Sequence, residues 1–237
     1  MSTKNVFLSI FISILLTISC QTDQKQANSK AATQVEDYIL NIYSRYLSME
    51  QEFRIEVTFT NGKDKKFKNL PIEGELFFMG KKLTEAEPRY GGKMYMLQLP
   101  QMAYSELKTL EWKQGDKTVA KYQSILEPID DYQIANRTID LDKGFTLNWD
   151  GAPLTKEEFI TIMISPEYND PLKMNRLGPS TASSLSVVPK QLEKLKPGSC
   201  QFSIIKNKRV SIRDESNNLK AMFIDEFHLP EIEIKLE

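Results

Sequence analysis

Histidine and cysteine are nearly missing from this chain: of 237 residues, one is His and two are Cys. Metal sites are built from clusters of His, Cys or carboxylates at fixed spacing, so this scarcity excludes the common zinc and redox-metal sites. An excess of either charge is missing too. Lys and Arg total 31 against 32 Asp and Glu, a net charge of −1, and such a balance offers no electrostatic footprint for nucleic acid. No GxSxG elbow, phosphate loop or dinucleotide fingerprint occurs. The paired carboxylates Asp130-Asp131 and Glu157-Glu158 are neighbours in sequence. On a strand, neighbours point to opposite faces, so neither pair makes an acid/base couple by itself. No apolar run reaches the roughly 20 residues that a membrane-spanning helix needs. These absences argue for a protein without cofactor or metal that binds or assembles rather than catalyses. A hydrolase assembled from distant carboxylates is the minority alternative.

The longest apolar run present is short. After Lys4, residues 6–18 read VFLSIFISILLTI without a charge, the length of a signal-peptide core. Small Ser19 and then Cys20 follow. The segment Leu16-Thr17-Ile18-Ser19-Cys20 resembles the lipobox of bacterial lipoproteins, with Thr17 where that family favours Leu. The resemblance implies cleavage before Cys20, a diacylglycerol on its thiol, and a further acyl chain such as palmitate on the new amino group. Each buried methylene adds about 0.8 kcal/mol to membrane binding, and two or three chains on one residue make the anchor effectively permanent. Gln21 stands where some bacteria use Asp to retain lipoproteins at the inner membrane, so the outer membrane is favoured. The competing reading is an ordinary secretory signal cut at the same bond.

With Cys20 lipidated, Cys200 has no partner for an intramolecular disulfide. It alternates in register with Phe202 and Ile204, which places it on an apolar strand face as a buried, inert thiol. Residues 21–34 (QTDQKQANSKAATQ) carry no aromatic and no isoleucine, leucine or valine. They cannot bury enough surface to offset their ordering entropy and read as a flexible tether, a coil reaching roughly 20 Å. From Val35 to Met49 the apolar positions 35, 38, 39, 42, 43, 46 and 47 are spaced 3, 1, 3, 1, 3, 1. That spacing predicts one amphipathic helix packed on its own domain, with a partner-binding or membrane-surface helix as the alternative.

From Phe53 the period becomes two. Phe53, Ile55, Val57 and Phe59 alternate with polar residues up to the Asn61-Gly62 turn, the pattern of a half-buried strand. Further strands are expected near 72–79, 93–99, 107–112 and 118–126, ending at Pro128. A second β set follows near 138–141, 145–149, 159–165, 185–188, 200–205, 210–212, 221–227 and 231–236. The basic runs KDKKFK (63–68) and KNKR (206–209) fall between strand-like segments and read as solvated hairpin tips, the alternative being a lipid or polyanion patch. The fold class is therefore mainly β, an antiparallel sandwich in two β domains with one N-terminal helix. The expected divisions are 1–19 signal peptide, 20–34 tether, 35–132 helix plus first β domain, and 133–237 second β domain.

In the second domain, Leu192-Glu193-Lys194-Leu195-Lys196-Pro197-Gly198 is similar to a corner of fibronectin type III domains. Trp149, in FTLNWDG, is similar to that family's core tryptophan. Gln201 stands where the corner's tyrosine is usual, with Phe202 one place on. The resemblance implies an immunoglobulin-like or fibronectin-like sandwich.

Asp140 and Asp142 flank a turn and are the candidate calcium donors, against a turn stabilised by Asp side chains. Trp112, Tyr122, Tyr132, Trp149 and Tyr168 are candidate stacking surfaces for a sugar, although large aromatics mostly fill cores. Residues 166–183 read as a long irregular stretch, and such loops are often functional. Tyr168, Leu172, Met174 and Leu177 within it form the candidate contact surface. The expectation is a lipid-anchored cell-envelope lipoprotein acting as a protein-interaction or structural module. Its expected partners are the membrane, through Cys20, and an envelope protein or glycan. The alternative is a carbohydrate- or ligand-binding sandwich.

Overall fold

A computed structural model describes residues 38–61, 71–87, 93–168, 170–214 and 219–237. Cys20, the tether and the basic run at 63–68 lie outside the described residues. The first element corrects the sequence reading: Tyr38–Leu47 is a strand, β1, where the spacing predicts a helix. Leu40, Ile42, Ser44 and Tyr46 are buried, with period two. The opposite face, including Ile39 and Tyr43, is itself half-buried. Apolar side chains on both faces, with polar Ser44 at an inward position, imitate helical spacing. Isoleucine and tyrosine favour the pleated alternative.

The strands that follow are β2 (Glu52–Asn61), β3 (Glu75–Phe78), β4 (Lys81–Lys82), β5 (Thr84–Ala86) and β6 (Met94–Leu99). Next come β7 (Leu107–Gln114), β8 (Lys117–Ile125), β9 (Ile129–Ile134), β10 (Thr138–Ile139), β11 (Phe145–Gly151) and β12 (Glu158–Pro166). The last are β13 (Leu172–Leu177), β14 (Ser184–Val187), the single-turn helix α1 (Pro189–Leu192), β15 (Gly198–Asp214), β16 (Leu219–His228) and β17 (Ile232–Leu236).

The C-terminal strands make an immunoglobulin-like sandwich. One layer is β14-β11-β9; the other is β13-β12-β15-β17, with β10 added in parallel to β17. Between the layers Trp149, Ile160, Ile162, Ile164 and Phe202 are fully or nearly fully buried. Phe202 meets Tyr132 and Phe145 across the core. Leu192 and Leu195 are buried, and the Leu195 N–H donates to the Leu192 carbonyl. Cys200 is buried and reduced, and burial pushes its thiol up to about 11.

The N-terminal strands make a second sandwich. Its small layer is β4-β3-β7-β8, and its large layer is β16-β1-β2-β6-β5. Phe53 meets Phe78, and Phe59 meets Trp112, across the core. The Trp112 indole N–H donates to the Glu73 carbonyl at 2.9 Å.

One strand belongs to both sandwiches. β15 pairs with β17 over Gly198–Phe202, with β12 over Cys200–Lys208, and with β16 over Ile205–Asp214. The sequence KNKR is thus the middle of a 17-residue strand and not a hairpin tip. Lys206 and Asn207 are buried. The chain also crosses between sandwiches earlier than the expected boundary at 132/133: β9 starts at Ile129 and already pairs with β11.

Where β15 crosses, its even-numbered positions change from Cys200, Phe202 and Ile204 to Lys206 and Lys208. The opposing layers part here, since β8 ends at Ile125 and β9 begins at Ile129. Polar heads fill the seam. The Lys208 Nζ donates to the Ile125 carbonyl at 2.7 Å, and the Lys206 Nζ lies 3.8 Å from Glu158 Oε2. Glu158 Oε2 also accepts the Thr155 N–H at 2.9 Å. Burial pushes the Lys206 amine below its ordinary range, against the pull of Glu158. Removing one member of a buried pair leaves the other charge uncompensated, at about 3–5 kcal/mol. Glu158→Leu should therefore lower stability by about that much. Glu158→Leu with Lys206→Met should recover most of the loss in denaturant titrations. A double variant no more stable than Glu158→Leu alone would show that the seam does not depend on this pair.

Candidate functional site

The candidate contact residues come apart in the structure. Residues 166–183 are not irregular throughout, because 172–177 form β13, an edge strand paired with β12. The register sets Leu172 opposite Ile164 and Met174 opposite Ile162, and both are half-buried against the core. These two are therefore packing residues. Tyr168, in the connection before β13, is 87% exposed, and Leu177, at the end of β13, is 67% exposed. Sequence reading missed the strand because prolines bracket it. Proline is tolerated beside an edge strand, where no second ladder is needed.

Among the described residues, β13 pairs only with β12, so its other edge presents backbone N–H and C=O groups. The segment after it is fixed. Gly178 N–H donates to the Glu158 carbonyl at 2.9 Å, and Leu154 and Ser180 exchange two backbone hydrogen bonds of 3.0 Å. A Cβ on Gly178 would lie 1.9 Å from the Thr155 carbonyl oxygen, so only glycine permits this approach. The Arg176 guanidinium reaches Ser180 Oγ at 3.4 Å. The surface is thus a supported edge carrying one tyrosine and one leucine.

Two other polar assemblies stand apart from it. A groove of about 790 Å³ is lined by Asp130, Asp131, Tyr132, Gln133, Arg137 and Asn148, among others. Tyr132 donates its hydroxyl hydrogen to the Pro230 carbonyl at 2.8 Å, while its ring contacts Phe202. It is therefore one wall of the groove and not a free stacking platform. Of the remaining aromatics considered for stacking, Trp112, Tyr122 and Trp149 are core residues.

The second assembly lies on the outer face of the large sheet. Parallel pairing sets Arg45 opposite Glu226 and Leu47 opposite His228. The Tyr43 hydroxyl donates to Glu226 Oε2, His228 Nε2 lies 2.8 Å from the same oxygen, and Arg45 donates to the Tyr43 hydroxyl at 3.0 Å. Burial, with the Glu226 charge, pushes the Tyr43 phenol up to about 12. Burial alone would raise the Glu226 carboxyl, but His228, Tyr43 and Arg45 hold it below its ordinary range. The sequence signal was present as two i, i+2 pairs, Tyr43/Arg45 and Glu226/His228. What no local pattern supplies is the parallel pairing that joins them across 183 residues.

Asp140 resolves as a turn residue. Its Oδ1 accepts the N–H groups of Asp142 and Lys143 at 3.0 and 3.1 Å, and its Oδ2 accepts from Lys143 Nζ at 2.6 Å. Among the described residues, no group of three or more His, Cys, Asp or Glu could hold a metal ion.

No family model and no curated protein matches the chain. Among solved structures it is similar to a cytokine receptor complex, at 15% identity and TM-score 0.30, covering 82% of this chain and 94% of that one. It is similar to a two-domain fibronectin type III segment from chicken tenascin, at 12% identity and TM-score 0.26, covering 78% and 91%. It is also similar to domains 6–7 of the surface layer protein SbsC, at 11% identity and TM-score 0.23, covering 85% and 97%.

The division among the four contact residues is measurable. Met174→Ala should cost about 1–2 kcal/mol, below the 2–5 of a fully buried methionine. Tyr168→Ala should stay within about 0.5 kcal/mol of wild type, as surface substitutions do. Equal losses in thermal or chemical unfolding would mean that Tyr168 is packed.

Proposed function

We propose that the chain is a lipid-anchored lipoprotein of the cell envelope whose folded part is a non-catalytic protein-interaction or structural module. The observation that carries this reading is the supported edge of β13, with Tyr168 and Leu177 exposed beside it. An open edge is a template for a partner strand: main-chain hydrogen bonds give affinity, and side chains along the edge give selectivity. Lys173, also exposed on β13, guards that edge against indiscriminate pairing, a common protective device. The lipobox-like segment ending at Cys20 supports the anchor, and Gln21 favours the outer membrane.

A second reading draws on the groove beside Tyr132. Its acid, amide and guanidinium side chains are the donors and acceptors that a sugar's hydroxyls require, and its volume lies within the usual range for ligand pockets. Under that reading the module binds a glycan.

One experiment addresses the first reading and the anchor together. A photoreactive residue is placed at position 177 of the full chain, and in a control at Asp116 in the β7–β8 turn. Each protein is expressed in its own envelope and irradiated. Position 177 should yield a discrete protein adduct and position 116 none. Cys20→Ala should abolish the adduct and empty the membrane fraction. Equal labelling at both positions, or persistence of the adduct in Cys20→Ala, would refute the proposal. A glycan adduct near Asp131 would favour the groove.

A further inference from the structure

The core of the N-terminal sandwich encloses an amine and a carboxyl group that no surface function uses. Lys108 projects from β7 in the small layer and Asp225 from β16 in the large layer. Their side chains are 0% and 1% exposed, and Nζ lies 3.1 Å from Oδ2. The surroundings are apolar and aromatic: Tyr104 contacts Tyr46, Phe53 and Phe227. Three polar contacts orient the pair. Lys108 Nζ donates to the Tyr104 hydroxyl at 2.7 Å, and that hydroxyl donates to the Leu126 carbonyl. Ser124 Oγ donates to Asp225 Oδ2 at 3.0 Å. Ser44 is buried on β1 opposite Asp225 in the β1–β16 register, and its hydroxyl adds to the pull that favours the carboxylate.

We propose that Lys108 and Asp225 condense into an intramolecular amide that ties the two layers of this sandwich together. Two charges in such a place are costly, and the environment disfavours both ionised forms. Burial pushes the Lys108 amine down and the Asp225 carboxyl up, which enriches a free amine facing an undissociated acid. Contact near 3 Å, held by the fold, gives the effective concentration that makes an otherwise slow bimolecular condensation unimolecular.

The chemistry balances without a co-reactant. The Nζ lone pair attacks Asp225 Cγ, forming the N–Cγ bond. The Cγ–Oδ1 bond then breaks, and Oδ1 leaves as water with the acid proton and one amine proton. From the ion pair, one ammonium and one carboxylate give one amide and one water. Oδ2 remains as the amide oxygen and keeps its bond from Ser124, while Tyr104 accepts the remaining N–H. The neutral product removes two buried charges, and the sealed core keeps out the water that would reverse the step.

Peptide mapping of the purified, folded full chain tests this. After incubation at neutral pH, denaturation and trypsin digestion, the wild type should give one branched peptide containing both Lys108 and Asp225. Its mass should be lower by one water than the sum of the two linear sequences, with no cleavage after Lys108. Lys108→Arg keeps the cation but has no attacking amine, so it should give only linear peptides. Separate linear Lys108 and Asp225 peptides from the wild type would overturn the proposal, as would a water loss located at any other residue. The wild-type map decides the matter even if the variant fails to fold.

Discussion

A single strand, β15, supplies backbone hydrogen bonds to both sandwiches, and the arrangement of the rest follows from it. At about 3.3 Å per residue its 17 residues span roughly 55 Å, enough to pass through one core and into the next. Because side chains alternate with period two, a one-residue slip would turn Cys200, Phe202 and Ile204 out of the C-terminal core. The same slip would turn Ile212 away from the N-terminal core. Each sandwich therefore fixes the register for the other. β16 and β17 follow β15 back along the same edge, joined through the Leu229 N–H bond to the Ile204 carbonyl. The last forty residues thus act as one long hairpin on which the other strands assemble.

The charged groups inside the protein belong to this constraint. A strand shared by two cores must cross the gap between them, where no opposing layer stands to bury an apolar side chain. Lysine suits that position because its stem covers apolar surface while its head reaches a polar partner. Lys206 and Lys208 do so with Glu158 and the Ile125 carbonyl. Lys108 and Asp225 are a different case, since they lie in the core proper and face each other between layers. A buried pair of this kind gains little net stability over an apolar replacement. Its retention is better explained by what it specifies or by what it becomes.

The sequence made most strands legible, and the reasons for the exceptions are specific. Period-two runs such as Phe53 to Phe59 located β2, because one face is apolar and the other polar. The corner at Leu192 to Gly198 and Trp149 located the C-terminal sandwich. β1 was misread because it is a central strand, gripped by β2 and β16, and so carries apolar residues on both faces. KNKR looked like a turn because exposed lysines are the rule, and nothing local reveals a crossing between two cores. Of the four contact residues, Tyr168 and Leu177 are surface, while Leu172 and Met174 turned inward once β13 took its place beside β12. The quartet at Glu226 was out of reach for a similar reason, since it depends on parallel pairing between the two ends of the chain.

The order of the ladders also bears on how a tethered module would carry load. β1 is the first described strand, and it sits inside the sheet with a full ladder on each side. Tension applied at the start of β1 would act along the strand axis and shear both ladders together, instead of opening one bond at a time. From β1 the load passes through β16 and β15 to β12 and the open edge of β13. Each step along that route is a backbone ladder, and no flexible linker interrupts it. The sharing of β15 thus does more than join two cores: it makes the proposed contact edge mechanically continuous with the start of β1. A pair of independently folded domains on a hinge would lack that continuity.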